Sequence, residues 1–224
     1  MSQNHTLKLL DEELGKLRNL VNRLGATVVA QIDDATRALL DGDRAAAQSA
    51  IRRDAESDTL QMEINQNIVG AIARIQPMAD DLRRILAAGR IANDLERVGD
   101  HAKNIAKRSL QSDEKPMEPY AGVMRRLAAS VRPMLNDVLD AYDRDDAVAA
   151  RRVWLADDKP NELHDDLFYL VLSAMGDGAI KPAPATQWLF AAKSYERMAD
   201  HATNIAEEVT FIVTGQTVEA RPTD

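Results

Sequence analysis

The chain has 224 residues, with 28 Lys and Arg against 36 Asp and Glu, no cysteine and 4% aromatics. That length holds one or two domains with real cores, and the lack of cysteine excludes disulfides and thiolate metal sites. The formal charge of -8 argues against nucleic acid or anionic lipid as a main partner, leaving metal cations and basic protein faces.

Residues 1–6 are expected to fray. Leu7, Leu10, Leu14, Leu17, Val21, Leu24 and Val28, continued by Ile32, Ala35 and Leu39, then hold a heptad seam. This predicts one helix of more than 30 residues, about 50 Å long at the usual rise. Asp41-Gly42-Asp43 stops it, with Gly42 as C-terminal cap and Asp43 as N-cap of the next helix. That second helix is predicted over 44–75, closed by Pro77. Asp80 and Asp81 open a third, which runs to about Leu110.

Residues 111–119 are polar and hold two prolines, and they read as a linker. After them the pattern starts again. Tyr120, Met124, Leu127, Val131, Met134, Val138 and Ala141 alternate by four and three, and Asp143 to Asp146 make a turn. A fifth helix is predicted to Met175, then a Gly/Pro loop over 176–184, then a sixth helix and a tail. No segment alternates as a strand. The expected fold is all-α, two tandem three-helix bundles of six long helices related by an internal pseudo-twofold repeat. The first bundle is assigned to 7–110, a linker to 111–117, the second bundle to 118–215 and a tail to 216–224. Met1 to Lys16 has no apolar signal-peptide core and no run is long enough to span a membrane, so a cytoplasmic protein without direct membrane insertion is expected.

The third and sixth helices carry the repeat itself. Glu96-Arg97-Val98-Gly99-Asp100-His101-Ala102-Lys103-Asn104-Ile105-Ala106 returns as Glu196-Arg197-Met198-Ala199-Asp200-His201-Ala202-Thr203-Asn204-Ile205-Ala206, with eight of eleven positions identical. Leu95, Val98, Ala102 and Ile105 continue the seam, which puts Glu96 and Asp100 on the outward side. Four residues turn a helix by about 400°, so the two carboxylates stack on one face. Like charges so placed repel by a few tenths of a kcal/mol. A solvated charged face tolerates that, with Arg97 and Arg197 softening it. A bound cation explains why the arrangement occurs twice.

A second acid pair, Asp54 and Asp58, lies on the second helix, and its counterpart is Asp157 with Asn161. If the second and third helices are neighbours, Asp54, Asp58, Glu96 and Asp100 face one cation. Glu196, Asp200 and Asp157 form the poorer copy, because Asn161 is neutral and Pro160 is expected to kink the fifth helix. Counting acids, the first site should be the tighter. An all-oxygen set suits Mg, Ca, Mn or Fe, and Zn less well. His101 and His201 follow Glu by five, unlike the Glu-x-x-His of di-iron bundles, and read as flanking or packing residues. No phosphate loop and no nucleophile with a base is present, so no enzyme is expected. A metal-storage or buffering protein, and a carboxylate-metal bundle enzyme, are the alternatives.

With Arg53-Asp54…Asp58, Gln76-Pro77-Met78-Ala79-Asp80-Asp81-Leu82-Arg83, Asp94-Leu95-Glu96-Arg97-Val98-Gly99-Asp100-His101 and Tyr195-Glu196-Arg197-Met198-Ala199-Asp200-His201 in this order, the chain resembles the PhoU family over roughly residues 5–215. The resemblance implies two pseudo-symmetric three-helix bundles. It also implies surface metal clusters of iron or zinc type (the metal, Fe, Zn, Mn or Mg, is left open) on Glu96, Asp100, Glu196 and Asp200, with Asp54 and Asp58 in support. It implies negative regulation of the phosphate regulon, as a homodimeric adaptor between the ATPase subunit of a phosphate ABC transporter and a membrane sensor histidine kinase. Such a protein is cytoplasmic and reaches the membrane through its partners. Pro160 and Asn161 depart from the family pattern.

Overall fold

A computed structural model describes residues 3–111 and 114–218, with side chains from Lys8 onward. The described residues form seven α-helices: α1 (Gln3–Asp41), α2 (Arg44–Ile75), α3 (Ala79–Gln111), α4 (Tyr120–Asp143), α5 (Ala147–Leu155), α6 (Asp158–Gly176) and α7 (Pro182–Thr214). No strand occurs among them. The predicted seams are the buried faces: Leu17, Val21, Leu24, Val28, Ile32 and Ala35 on α1, and Met124, Leu127, Val131 and Val138 on α4, are almost fully enclosed. Asp43 caps α2 by accepting from the backbone N–H of Ala45 and Ala46, at 3.0 Å each. Asp146 repeats this at α5 with Val148 and Ala149. Gly42, at φ 73°, supplies the left-handed residue between α1 and α2.

Three boundaries differ from the sequence reading. The helix α1 begins at Gln3 rather than after residue 6, residues 1 and 2 lying outside the described set. The loop before α7 is shorter than 176–184, because Pro182 and Pro184 stand in the first turn of α7, where a missing N–H costs no intrahelical bond. Most consequential, the predicted fifth helix is two helices, α5 and α6, parted by a turn at Ala156 and Asp157. Pro160 is the third residue of α6 and cannot donate back to Ala156, so the ladder fails there. Pro133 shows the opposite outcome: α4 runs through it unbroken, held by the buried Val131, Met134 and Leu135 around it.

The first three helices pack pairwise on one another, and α4, α5/α6 and α7 do the same. The halves are nevertheless one body with a continuous core. Contacts between them run along α3 against α7 and α1 against α4. The fully buried Tyr195 shares a 2.7 Å hydrogen bond with Thr36 of α1. The helices α3 and α7 run antiparallel about a local twofold. Arg108 stacks on Phe190 at 4.4 Å, and at the symmetry-related pair of positions Arg90 binds Glu208 at 3.1 Å. Near the axis the rings of His101 and His201 lie 5.9 Å apart. Gly99, the one backbone-type change inside the first motif copy relative to Ala199, leaves room for Gln31, whose Oε1 would lie 3.0 Å from a Cβ at that position.

Candidate functional site

Glu96 and Asp100 stand one turn apart on the side of α3 that faces α2, and the seam on Leu95, Val98 and Ala102 fixes that orientation. They are half-buried rather than fully outward. Their side chains are 18% and 30% exposed, because α2 rises beside them. The α2 acids do meet them there. Asp54 lies across the groove, and Asp58 is raised by burial first, then by Asp54 and by Asp100, against the charge of Lys103. Glu96 in turn is raised by burial first, then by Asp100, and also by Asp58. Four carboxylates from two neighbouring helices therefore share one electrostatic environment.

The cation among them is part of the chain. The Lys103 ammonium donates to Asp54 Oδ2 at 2.7 Å and also to Asp100 Oδ1, tying α2 to α3. Burial pushes this lysine down, yet the two carboxylates outweigh burial and hold its pKa well above the ordinary lysine value. The effect on Asp100 is reciprocal. Burial pushes its carboxyl up, and the Lys103 hydrogen bond and charge pull it below the usual carboxylate range. Arg97 sits further out, 3.6 Å from Glu96 and 3.7 Å from Asp100. Among the described residues no three His, Asp or Glu side chains converge tightly enough to hold a metal ion as they stand. The donor set fits a hard cation in chemistry, being oxygen-only and crowded with like charge, and Lys103 already neutralises part of it.

The second copy is built otherwise. Glu196 and Asp200 occupy the same positions on α7, at 14% and 32% exposure. Arg197 donates to Asp200 at 3.0 Å. Lys193 Nζ lies 2.7 Å from Glu196 Oε2, at an angle that leaves that oxygen outside hydrogen-bond geometry. In place of Lys103 stands Thr203, whose hydroxyl turns back to the Asp200 carbonyl at 2.7 Å. Asp157 stands at the N-cap position of α6 in a helical conformation, and Asn161 donates to it at 3.4 Å. Trp154, one turn earlier, donates its indole N–H to Glu207 of α7 at 2.9 Å, so α5 and α7 are in register here.

The two histidines face away from both acid pairs. They lie between α3 and α7, where His201 Nδ1 donates to Asp94 at 2.8 Å, joined by Asn204 at 3.3 Å. The position matching Asp94 is Ser194, so His101 has no such carboxylate. Burial, then the neighbouring His201, hold its imidazole below the ordinary histidine value. Sequence reasoning passed over Lys103 and this interface. The signal for the first was the Lys-to-Thr difference inside an otherwise matching motif. The signal for the second was a polar line at 94, 101 and 108, spaced by seven.

The family model of the PhoU domain matches the chain twice, over residues 21–109 and 124–209. The chain is 41% identical over 214 residues to the phosphate-specific transport system accessory protein PhoU homolog of Caulobacter vibrioides, covering 95% of this chain and 93% of that one. It is 36% identical to the protein of the same description in Rhizobium meliloti, covering 100% and 95%. Among solved structures it is similar to PhoU from Pseudomonas aeruginosa, with 31% identity, a TM-score of 0.87, and 92% and 99% of the two chains covered. The phosphate transport system regulatory protein PhoU from Streptococcus pneumoniae also superposes with a TM-score of 0.87, at 27% identity over 94% and 100%.

Proposed function

The chain belongs to the PhoU family of phosphate transport accessory proteins, and from that premise we propose that it is a negative regulator of the phosphate regulon. In this reading it is an adaptor and not an enzyme. It works as a homodimer, docks on the ATPase subunit of a phosphate ABC transporter, and holds a membrane sensor histidine kinase off while phosphate is plentiful. Its place is the cytoplasmic side of the membrane, reached through those partners, and no described helix is long and apolar enough to cross a membrane. The observation that carries the reading is the near-full-length likeness to accessory proteins of phosphate-specific transport on both halves of the chain.

Metal binding is the second part of the proposal. Glu96, Asp100, Asp54 and Asp58 would hold a divalent or trivalent ion in the first half, and Glu196, Asp200 and Asp157 in the second. The crowding of Glu96 and Asp58, both raised above their ordinary carboxylate values, supports this, because a cation relieves that repulsion. Such an ion would supply charge and local order at the surface. The chain's own residues bind it and tie neighbouring helices together.

Deleting the gene in its host and reading a phosphate-regulon reporter tests the regulatory part. The expected outcome is a reporter that is on in phosphate-rich medium and silenced again by the restored gene. A reporter that stays off in the deletion strain would refute negative regulation. Pull-down of the ATPase subunit from detergent-solubilised membranes tests the adaptor part, and failure to recover it would refute direct docking.

A further inference from the structure

We propose that Lys103 is the resident cation of the first acid face, and that metal must displace it, so that the second face, on α7, loads first. The inference rests on the metal-binding reading above. Lys103 is 19% exposed and Asp54 15%, so this ion pair is largely shielded from solvent, and it spans two helices. An ammonium with two carboxylate acceptors occupies the oxygens that a metal would need.

The second half has its own lysine, differently placed. Position 93 is Asn and position 103 Lys, whereas position 193 is Lys and position 203 Thr. Lys193 is 44% exposed and pairs with Glu196, on its own helix. An exposed pair within one helix contributes little and yields readily to a competing ion. A shielded pair with two acceptors does not. The first face thus has more acids but already holds a shielded cation between two helices, and the second has fewer acids and two exposed cations, Lys193 and Arg197, each paired only within α7's own surface turn. The order of affinity that follows from counting acids is reversed.

The test is a Mn²⁺ titration of the full chain by calorimetry, with acid-pair variants to assign each binding phase. Glu196→Ala with Asp200→Ala should remove the tighter phase, and Glu96→Ala with Asp100→Ala the weaker. Lys103→Thr should strengthen the weaker phase about tenfold, the scale of one charge-assisted hydrogen bond withdrawn from the competitor. Thr203→Lys should weaken the tighter phase.

If Lys103→Thr binds as the parent does while both acid-pair variants lose their phases, the competition is wrong and the metal reading stands. Should the acid-pair variants bind as well as the parent, the metal reading fails and the inference with it. A second measurement on the unaltered chain covers the case of a poorly folding variant. Lys103 should resist acetic anhydride in EDTA and become reactive when Mn²⁺ is added, as mapped by mass spectrometry. Equal reactivity in both conditions would overturn the displacement.

Discussion

Asp34 and Glu96 are both carboxylates on packed helices, yet folding pulls them in opposite directions. Burial pushes Asp34 up, but hydrogen bonds from Ser49, Arg53 and Arg37 outweigh it and set its pKa below the ordinary value. A carboxyl lowered by folding stabilises above its unfolded pKa, and the gain is lost as pH falls through the folded one. Asp34→Asn should therefore lower stability at pH 7 by about 1–2 kcal/mol, and the gap to the parent should close in acid, below about pH 4. Thermal melts at several pH values check this, and a gap that persists in acid would mean that charge is not its source. Glu96 has the reverse sign. Its pKa is raised above 4.5 by burial and by Asp100, so its ionisation opposes folding. What stability its protonated form contributes is lost as pH rises through the folded value. Glu96→Gln in EDTA should melt above the parent at pH 7, and the two should converge as the pH falls below about 4.5. A lower melting point at neutral pH would mean that Glu96 makes contacts beyond those seen. The acid neighbours of Glu96 were legible in the sequence, but its burial was not, and the environment of Asp34 was not legible at all. Nothing in the sequence marks Asp34, and its fate depends on Arg53, brought by a separate helix.

At the scale of elements, the sequence carried most of the architecture, because heptad seams and caps are local signals. Asp43 and Asp146 announce their helix starts, and Leu17 to Ala35 announce a buried face. Pro160 announced the weak point of the fifth helix but not its form, a turn with two separate helices. The missing donor is the cause, and Pro160→Ala should restore it. Amides of residues 157–161 should then gain protection from hydrogen exchange, as α5 and α6 approach one helix. Unchanged protection would assign the break to packing, with Trp154 and Glu207 as the anchoring pair. What could not be read is which polar positions meet another helix. Arg90, Asp94 and Arg108 look like surface in a one-helix view, and they become an interface only because α7 presents Glu208, His201 and Phe190 opposite them.

At the scale of the molecule, this interface decides how the chain unfolds. Two halves separated by a proline-containing linker suggest independent domains, but Thr36 and Tyr195 bond across the halves, and Arg18 and Arg84 both grip Asp145 of the second half from the first. Calorimetry should give one cooperative transition, and two resolved transitions would show that the halves are energetically separate. The same packing has a further consequence for α3. That helix is keyed to α1 through Gly99 and Gln31, to α2 through Lys103 and Asp54, and to α7 through Asp94 and His201. Five residues advance a helix by about 500°, so Glu96 and His101 lie on nearly opposite sides of it. A rod held from three directions cannot swivel to announce that an ion has arrived. Were a metal to displace the Lys103 ammonium as proposed, the density of charge along the groove would change while the backbone stayed in place. Under the proposed exchange, a partner that told the loaded protein from the unloaded one would read a potential, not a shape.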